Sequence, residues 1–167
     1  MFLKKLLGDK QQLPPPVPVK KIGLACLGSF LIITVLALLA DATSTPLILG
    51  SFGATCVLVF GYPDASFSQP RNVVIGHITT TFIGLLFLTY LGPNLWSLAL
   101  AVALAFGIML LLRVVHPPAG SNPVIIFLVQ PSWSFLLFPV AIGAVLIVIF
   151  ALIYLNLTRA ENYPKYW

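Results

Sequence analysis

Apolar positions in this chain gather into four long blocks, at 22–40, 72–91, 95–112 and 135–155. Each is close to the roughly 20 residues that a helix needs to cross a hydrocarbon core. The pattern therefore predicts four long membrane-crossing helices. Two further blocks, PLILGSFGATCVLVFG at 46–61 and PPAGSNPVIIFLVQ at 117–130, are short and broken by glycine, proline and small polar residues. The leading stretch, 1–21, is different again. Its FLKKLL piece suits the headgroup layer, and its PPPVP tract favours an extended spacer. The tripeptide ADA at 40–42 resembles a signal-peptide cleavage site. The apolar run before it outlasts the usual h-region of about 7–15 residues, so a retained spanning helix is expected.

The two short blocks match each other. Sliding the chain on itself lays 49–60 over 116–127, with Gly53 on Gly120, Val57 on Val124 and Phe60 on Phe127. In the same register Gly76 falls on Gly143, and 72–91 falls on 139–158. The order of long, short and long recurs, which predicts an internal duplication with one repeat at 22–91 and a second at 92–158.

Composition agrees with a membrane setting. Hydrophobic residues make up 59% of the 167, charged residues only 8%, and the mean hydropathy is +1.04. Soluble domains carry about 25% charged residues. The net charge of +5 does not point to nucleic acid, because five of the nine basic residues lie in the first 21 and flank the first apolar block. That is the place of a cytoplasmic anchor. Cys26 and Cys56 sit inside apolar segments without a CxxC spacing and read as small hydrophobes.

Charge also bears on topology. With a cytoplasmic amino terminus and six crossings, every lysine and arginine falls on the cytoplasmic side, the tail at 159–167 included. If the short blocks turned back instead, Arg71 and Arg113 would move outside. The positive-inside rule favours six crossings. Three crossings per repeat would invert one repeat relative to the other, and inverted repeats with short broken helices at matching positions mark the substrate site of many transporters.

The segment RVVHPPAGSNP, 113–123, holds the densest chemistry. Pro117 and Pro118 lack a backbone N–H and disfavour helix before them, so the third long helix should end near Val114 to His116. Gly120 permits unusual backbone angles, Ser121 or Asn122 can cap, and Pro123 suits the first helical position. The restarted half-helix would present free N–H groups and a positive dipole end to a small anion. In the first repeat Gly50, Ser51, Gly53, Ala54 and Thr55 occupy the equivalent turn, so the two turns together predict a pocket with backbone donors from both sides.

Titratable groups near the breaks are few. Arg113 and His116 flank one turn, and Arg71 and His77 flank the start of 72–91. Intramembrane ionisable residues are functional candidates. The arginines can either snorkel to the interface or raise the local anion concentration. His77 precedes Thr79, Thr80 and Thr81 and reads first as a hydrogen-bond partner between helices. His116 sits at the break, where it can sense or carry a proton, and a relay through His116 and His77 is the further possibility. Asp64 and Arg71 bracket YPDASFSQPR and are expected to close it as a local salt bridge. No HExxH, GxSxG, P-loop or EF-hand pattern occurs. The expectation is a protein that is not an enzyme and holds no cofactor and no metal.

The strings LGSFGATCVLVFGYPDASFSQPRNVVIGH (49–77) and LRVVHPPAGSNP (112–123) resemble the HPP family of integral membrane proteins. That family is named for the His-Pro-Pro that stands here as His116, Pro117 and Pro118. The resemblance covers about 20–158. It implies a four-spanning description, against the six crossings read from charge. It also implies a transporter of nitrite or a similar small anion, since some members in plastids and cyanobacteria are associated with nitrite, and hence a bacterial inner membrane of cyanobacterial type.

Together these readings predict an all-α membrane protein with two inverted repeats, each of two long helices and one short broken helix. Its expected partners are a small inorganic anion, the bilayer and other copies of itself in a homo-oligomer, with no nucleic acid. Two rival readings are a structural or assembly subunit of a larger membrane complex and a neutral-solute channel.

Overall fold

The computed structural model describes residues 11–43 and 47–167, and every regular element among them is helical. Six α-helices follow in order: α1 (Val19–Thr43), α2 (Gly50–Gly61), α3 (Pro70–Leu91), α4 (Leu95–Leu111), α5 (Asn122–Val129) and α6 (Ile142–Thr158). Short 3₁₀ turns at Ser66–Ser68, Pro117–Ser121 and Trp133–Leu136 and a π turn at Leu137–Ala141 join them. The FLKKLL piece lies outside the described residues.

Three helical runs are long and apolar enough to cross a membrane: Val19–Thr43, Pro70–Leu91 and Trp133–Thr158. The fourth predicted crossing, 95–112, forms α4 of 17 residues. At 1.5 Å per residue it spans about 25 Å, just under the hydrocarbon thickness. α2 and α5 have 12 and 8 residues and are the short elements expected from the broken blocks.

Helix ends follow local chemistry. Asn94 accepts the Ser97 N–H at 2.9 Å and caps α4, as short polar side chains do at helix starts. Pro70 opens α3, where its missing N–H costs nothing. Gly92, at φ 75°, ends α3 in the left-handed region that glycine enters freely. α4 ends earlier than expected, at Leu111, because Arg113 itself turns left-handed at φ 58°.

α3 lies at the centre and packs against α4, α5 and α6, while α1 packs against α2 and α6. Most of α1 faces outward, with only Gly28, Ile32 and Leu36 buried, one turn apart. Helices approach closely where side chains vanish. A Cβ at Gly28 would lie 2.8 Å from Phe60 and Tyr154, one at Gly84 3.0 Å from Pro123 Cα, and one at Gly143 would run into the Phe52 ring. Such small-residue contacts are how helices associate in lipid, where no hydrophobic drive separates one apolar surface from another. Exposed Phe30, Leu100, Phe106, Ile153 and many like them suit a lipid-facing exterior.

One end of the bundle gathers the basic residues. The Tyr154 hydroxyl on α6 donates to Leu24 O at the start of α1, which carries Lys20 and Lys21. Arg71, at the start of α3, donates to Leu112 O at the end of α4. The chain's last residues lie across the same end. Tyr163 donates its hydroxyl to Ser68 O at 2.8 Å, and the Lys165 N–H donates to Gln69 Oε1 at 2.7 Å. The expected Asp64–Arg71 salt bridge is not formed. Asp64 instead pairs with Arg159 at 2.6 Å and Lys165 at 3.1 Å, because the tail brings two cations over the loop while Arg71 turns to the Leu112 carbonyl.

Candidate functional site

Between the two broken segments lies a buried chain of polar side chains. α2 supplies Thr55, α3 supplies His77 and Thr81, the turn after α4 supplies His116, and the first residue of α5 is Asn122. All five are buried, and both imidazoles are fully buried. Thr55 Oγ1 lies 2.9 Å from His77 Nε2 and 2.9 Å from His116 Nε2. Beyond Thr55, His116 Nδ1 meets Phe67 O at 2.6 Å. On the other side, Asn122 Nδ2 meets His77 Nδ1 at 3.0 Å and Thr81 Oγ1 at 2.9 Å. The two rings sit 5.1 Å apart, and Phe52 lies edge-on to His77 at 5.3 Å.

The partners fix which atoms donate. Phe67 O only accepts, so His116 Nδ1 carries hydrogen and its Nε2, in the neutral ring, accepts. The Asn122 amide donates to His77 Nδ1, so His77 Nε2 carries hydrogen and donates to Thr55. The single Thr55 hydroxyl proton then points to His116 Nε2, or to Ser51 O one turn back at 3.0 Å. Two buried atoms beside this chain, Ser51 Oγ and Asn122 Oδ1, have no hydrogen-bond partner among the described residues. Unpaired buried polar atoms are uncommon and call for an explanation.

Local sequence builds the turn. His116 is extended, at φ −134° and ψ 98°, as the residue before a proline prefers. Pro117 and Pro118 open the 3₁₀ turn, and Gly76 on α3 lets it come close, since a Cβ there would stand 3.0 Å from His116 Cβ. Neither expected cap forms. Ser121 donates to Pro118 O, and Asn122 is turned to His77 and Thr81. Gly120 needs no unusual backbone, since the left-handed residues among those described are Arg113, Gln130 and Gly92.

The structure thus brings His116, Thr55, Asn122 and His77 together, with Ser51 and Pro118 buried beside them. It does not bring in Gly50, Gly53, Pro117, Gly120 or Ser121. Gly50, Gly53, Pro117 and Ser121 are exposed, Gly120 is half-buried, and a Cβ on any of the three glycines would meet nothing within 4 Å. The buried face of each broken segment presents side-chain groups rather than the backbone N–H pairs expected at Gly53 and Gly120.

Arg71 and Arg113 lie apart from the buried chain, at the basic end. They line a recess of about 440 Å³ with Ser66, Phe67, Asn72, Val115 and Tyr166. No carboxylate among the described residues lines it. Asn72 Nδ2 donates to Val115 O at 2.9 Å, and the Tyr166 hydroxyl lies 3.2 Å from Asn72 Oδ1. Recess and buried chain meet at Phe67, which lines the one and accepts from His116 in the other. Sequence reasoning missed Asn72, Phe67 and Tyr166, and named Thr81 only as part of the run after His77. The PRN string contained a signal for Asn72, but nothing near Tyr166 in the chain marks its place over the recess.

The family model described as HPP, transmembrane region, matches residues 14–164. Two curated transmembrane proteins of Dictyostelium discoideum are similar over 99% of this chain, one 34% identical over 63% of its own length and the other 35% identical over 57%. The chain therefore spans about six-tenths of the length of these relatives. Their names describe them as transmembrane proteins and nothing more, so the bacterial setting rests on the sequence resemblance alone. No solved structure matches. With the family model covering nearly the whole chain, and apolar helices long enough to cross a bilayer at its core, the chain belongs to the HPP family of membrane proteins.

Proposed function

We propose that this chain transports a small monovalent anion, nitrite, past its two broken segments. One observation carries the reading: a recess lined by two arginines and no described carboxylate leads, at Phe67, to buried neutral polar groups between those segments. Arg71 and Arg113 raise the local anion concentration at the mouth. The proposal assigns the chain no catalytic reaction.

Contacts in the two halves support an inverted duplication as part of this reading. In the register that lays Gly53 on Gly120, Thr55 falls on Asn122, and these two bond opposite nitrogens of His77. The same register lays Gly76 on Gly143 and Phe52 on Ala119. Gly76 packs on Ala119 and His116, and Gly143 packs on Phe52, so each half's third helix meets the other half's break. The gathering of Lys20, Lys21, Arg71, Arg113, Arg159 and Lys165 at one end supports cytoplasmic termini.

The test is nitrite uptake by liposomes holding the purified chain, beside nitrate, formate and protein-free liposomes. Selective nitrite entry is expected. Arg71→Gln should lower it about tenfold to 100-fold at low nitrite, the worth of about 1.5–3 kcal/mol for one charged hydrogen bond. No anion entry through folded protein would overturn the proposal in favour of a structural subunit. Uptake of uncharged solutes that ignores arginine loss would favour a neutral-solute channel.

A further inference from the structure

We propose that His116, Thr55 and His77 form a one-proton site that loads with each anion, making transport an electroneutral anion–proton symport. This rests on the anion reading above and adds the coupled ion.

An anion leaving the recess for the buried groups between the broken segments loses water, and an unpaired charge in such surroundings is expensive. No arginine or lysine among the described residues hydrogen-bonds to the buried chain. Arg71 is engaged with Leu112 O, and Arg113 stays at the recess. Asp64, at the same end, is held by Arg159 and Lys165. Of the elements packed around His116, α3 contributes His77, α2 contributes Thr55, α5 contributes Asn122 and the 66–68 turn contributes the Phe67 carbonyl. Among the described residues, the buried groups there able to supply a positive charge are the two imidazoles.

The hydrogen bonds are arranged to accept one proton without losing a partner. In the neutral state His77 Nε2–H donates to Thr55, Thr55 donates to His116 Nε2, and His116 Nδ1–H donates to Phe67 O. When a proton from water adds to His116 Nε2, that nitrogen becomes a donor to Thr55 Oγ1. The threonine hydroxyl swings its hydrogen to Ser51 O, 3.0 Å away, and still accepts from His77. One N–H bond forms as a hydronium O–H bond breaks, and return of the same proton to water on the far side restores the first state. Thr55 is the positioning residue that makes both states complete.

The unpartnered atoms point the same way. Asn122 Oδ1 is a carbonyl oxygen that can only accept, and Asn122 is 1% exposed. Such an oxygen repels a bare anion, so the anion's charge has to be balanced there by the proton. Ser51 Oγ, also without a partner, can donate to the anion's oxygen.

The experiment uses the full chain in liposomes, nitrite outside, and a pH indicator inside. With the membrane potential clamped at zero, an inward proton gradient should drive nitrite accumulation above that of protein-free liposomes. The interior should acidify by one proton per nitrite, and imposed potentials should leave the rate unchanged. Thr55→Val should abolish gradient-driven accumulation and flatten the pH profile, while Thr55→Ser, which keeps the hydroxyl, should retain both. His116→Gln should behave as Thr55→Val does. Nitrite uptake that follows the potential and ignores the proton gradient would overturn the symport and leave anion transport standing. So would a Thr55→Val protein with the parental pH profile. Absence of nitrite uptake by the parent would overturn both readings.

Discussion

At the scale of single residues, the buried chain depends on which nitrogen of each histidine holds hydrogen. Phe67 O and the Asn122 amide set the two rings to opposite tautomers, Nδ1–H for His116 and Nε2–H for His77. Nitrogen-15 chemical shifts of labelled histidine in the bilayer-embedded protein should show one ring of each kind at neutral pH. Two rings of the same tautomer would contradict the donor order. Much of this site could be read in the sequence. His116 announced itself by standing at a Pro-Pro break, and Thr55 by standing at the matching turn. The link between them was not legible, because it depends on α2 and the 113–121 turn meeting across 61 positions. Gly53 and Gly120 aligned with each other in the sequence, yet Gly53 is exposed and Gly120 half-buried, since the buried side of each turn carries the polar side chain instead.

At the scale of elements, the helices are those of the apolar blocks, with ends displaced where the backbone obeys local chemistry. α4 stops at Leu111 rather than near His116, because a left-handed arginine is not a sequence signal. Close approach by glycine sets how the elements meet. Gly143 on α6 admits the Phe52 ring of α2, and a Cβ at that position would collide with Cε2. Gly143→Ala should destabilise the protein by about 1–3 kcal/mol, the usual cost of overpacking, measured by thermal unfolding in detergent. Adding Phe52→Leu should recover part of the loss. An unaltered melting temperature for Gly143→Ala would contradict the packing of α6 on α2.

At the scale of the whole molecule, the tail ties the two halves together at the basic end. Burial pulls the Asp64 carboxyl upward, but hydrogen bonds and charges from Lys165 and Arg159 outweigh it and hold its pKa below the usual carboxylate value. A carboxyl lowered on folding stabilises at neutral pH and loses that contribution as pH falls through the folded value. Amides at 163–167 should therefore exchange faster below about pH 4, and Asp64→Asn should reproduce the effect at neutral pH. Exchange unchanged by either treatment would show that the tail is held by Tyr163 and Gln69 alone. This tie was illegible in the sequence, since Asp64 and Arg159 stand 95 positions apart and the nearer Arg71 looked the better partner.

The recess has an electrical consequence. Where water fills the recess at Arg71 and Arg113, the bulk potential reaches inward as far as Phe67, and the voltage across the bilayer falls over the septum that remains. A lone charge crossing that septum exchanges about 2.3 kcal/mol with the field for every 100 mV, within a few side chains. Under the symport proposed above, an anion crossing with its proton would exchange none, and its accumulation would be set by acidity on the two sides and not by the cell's electrical polarity.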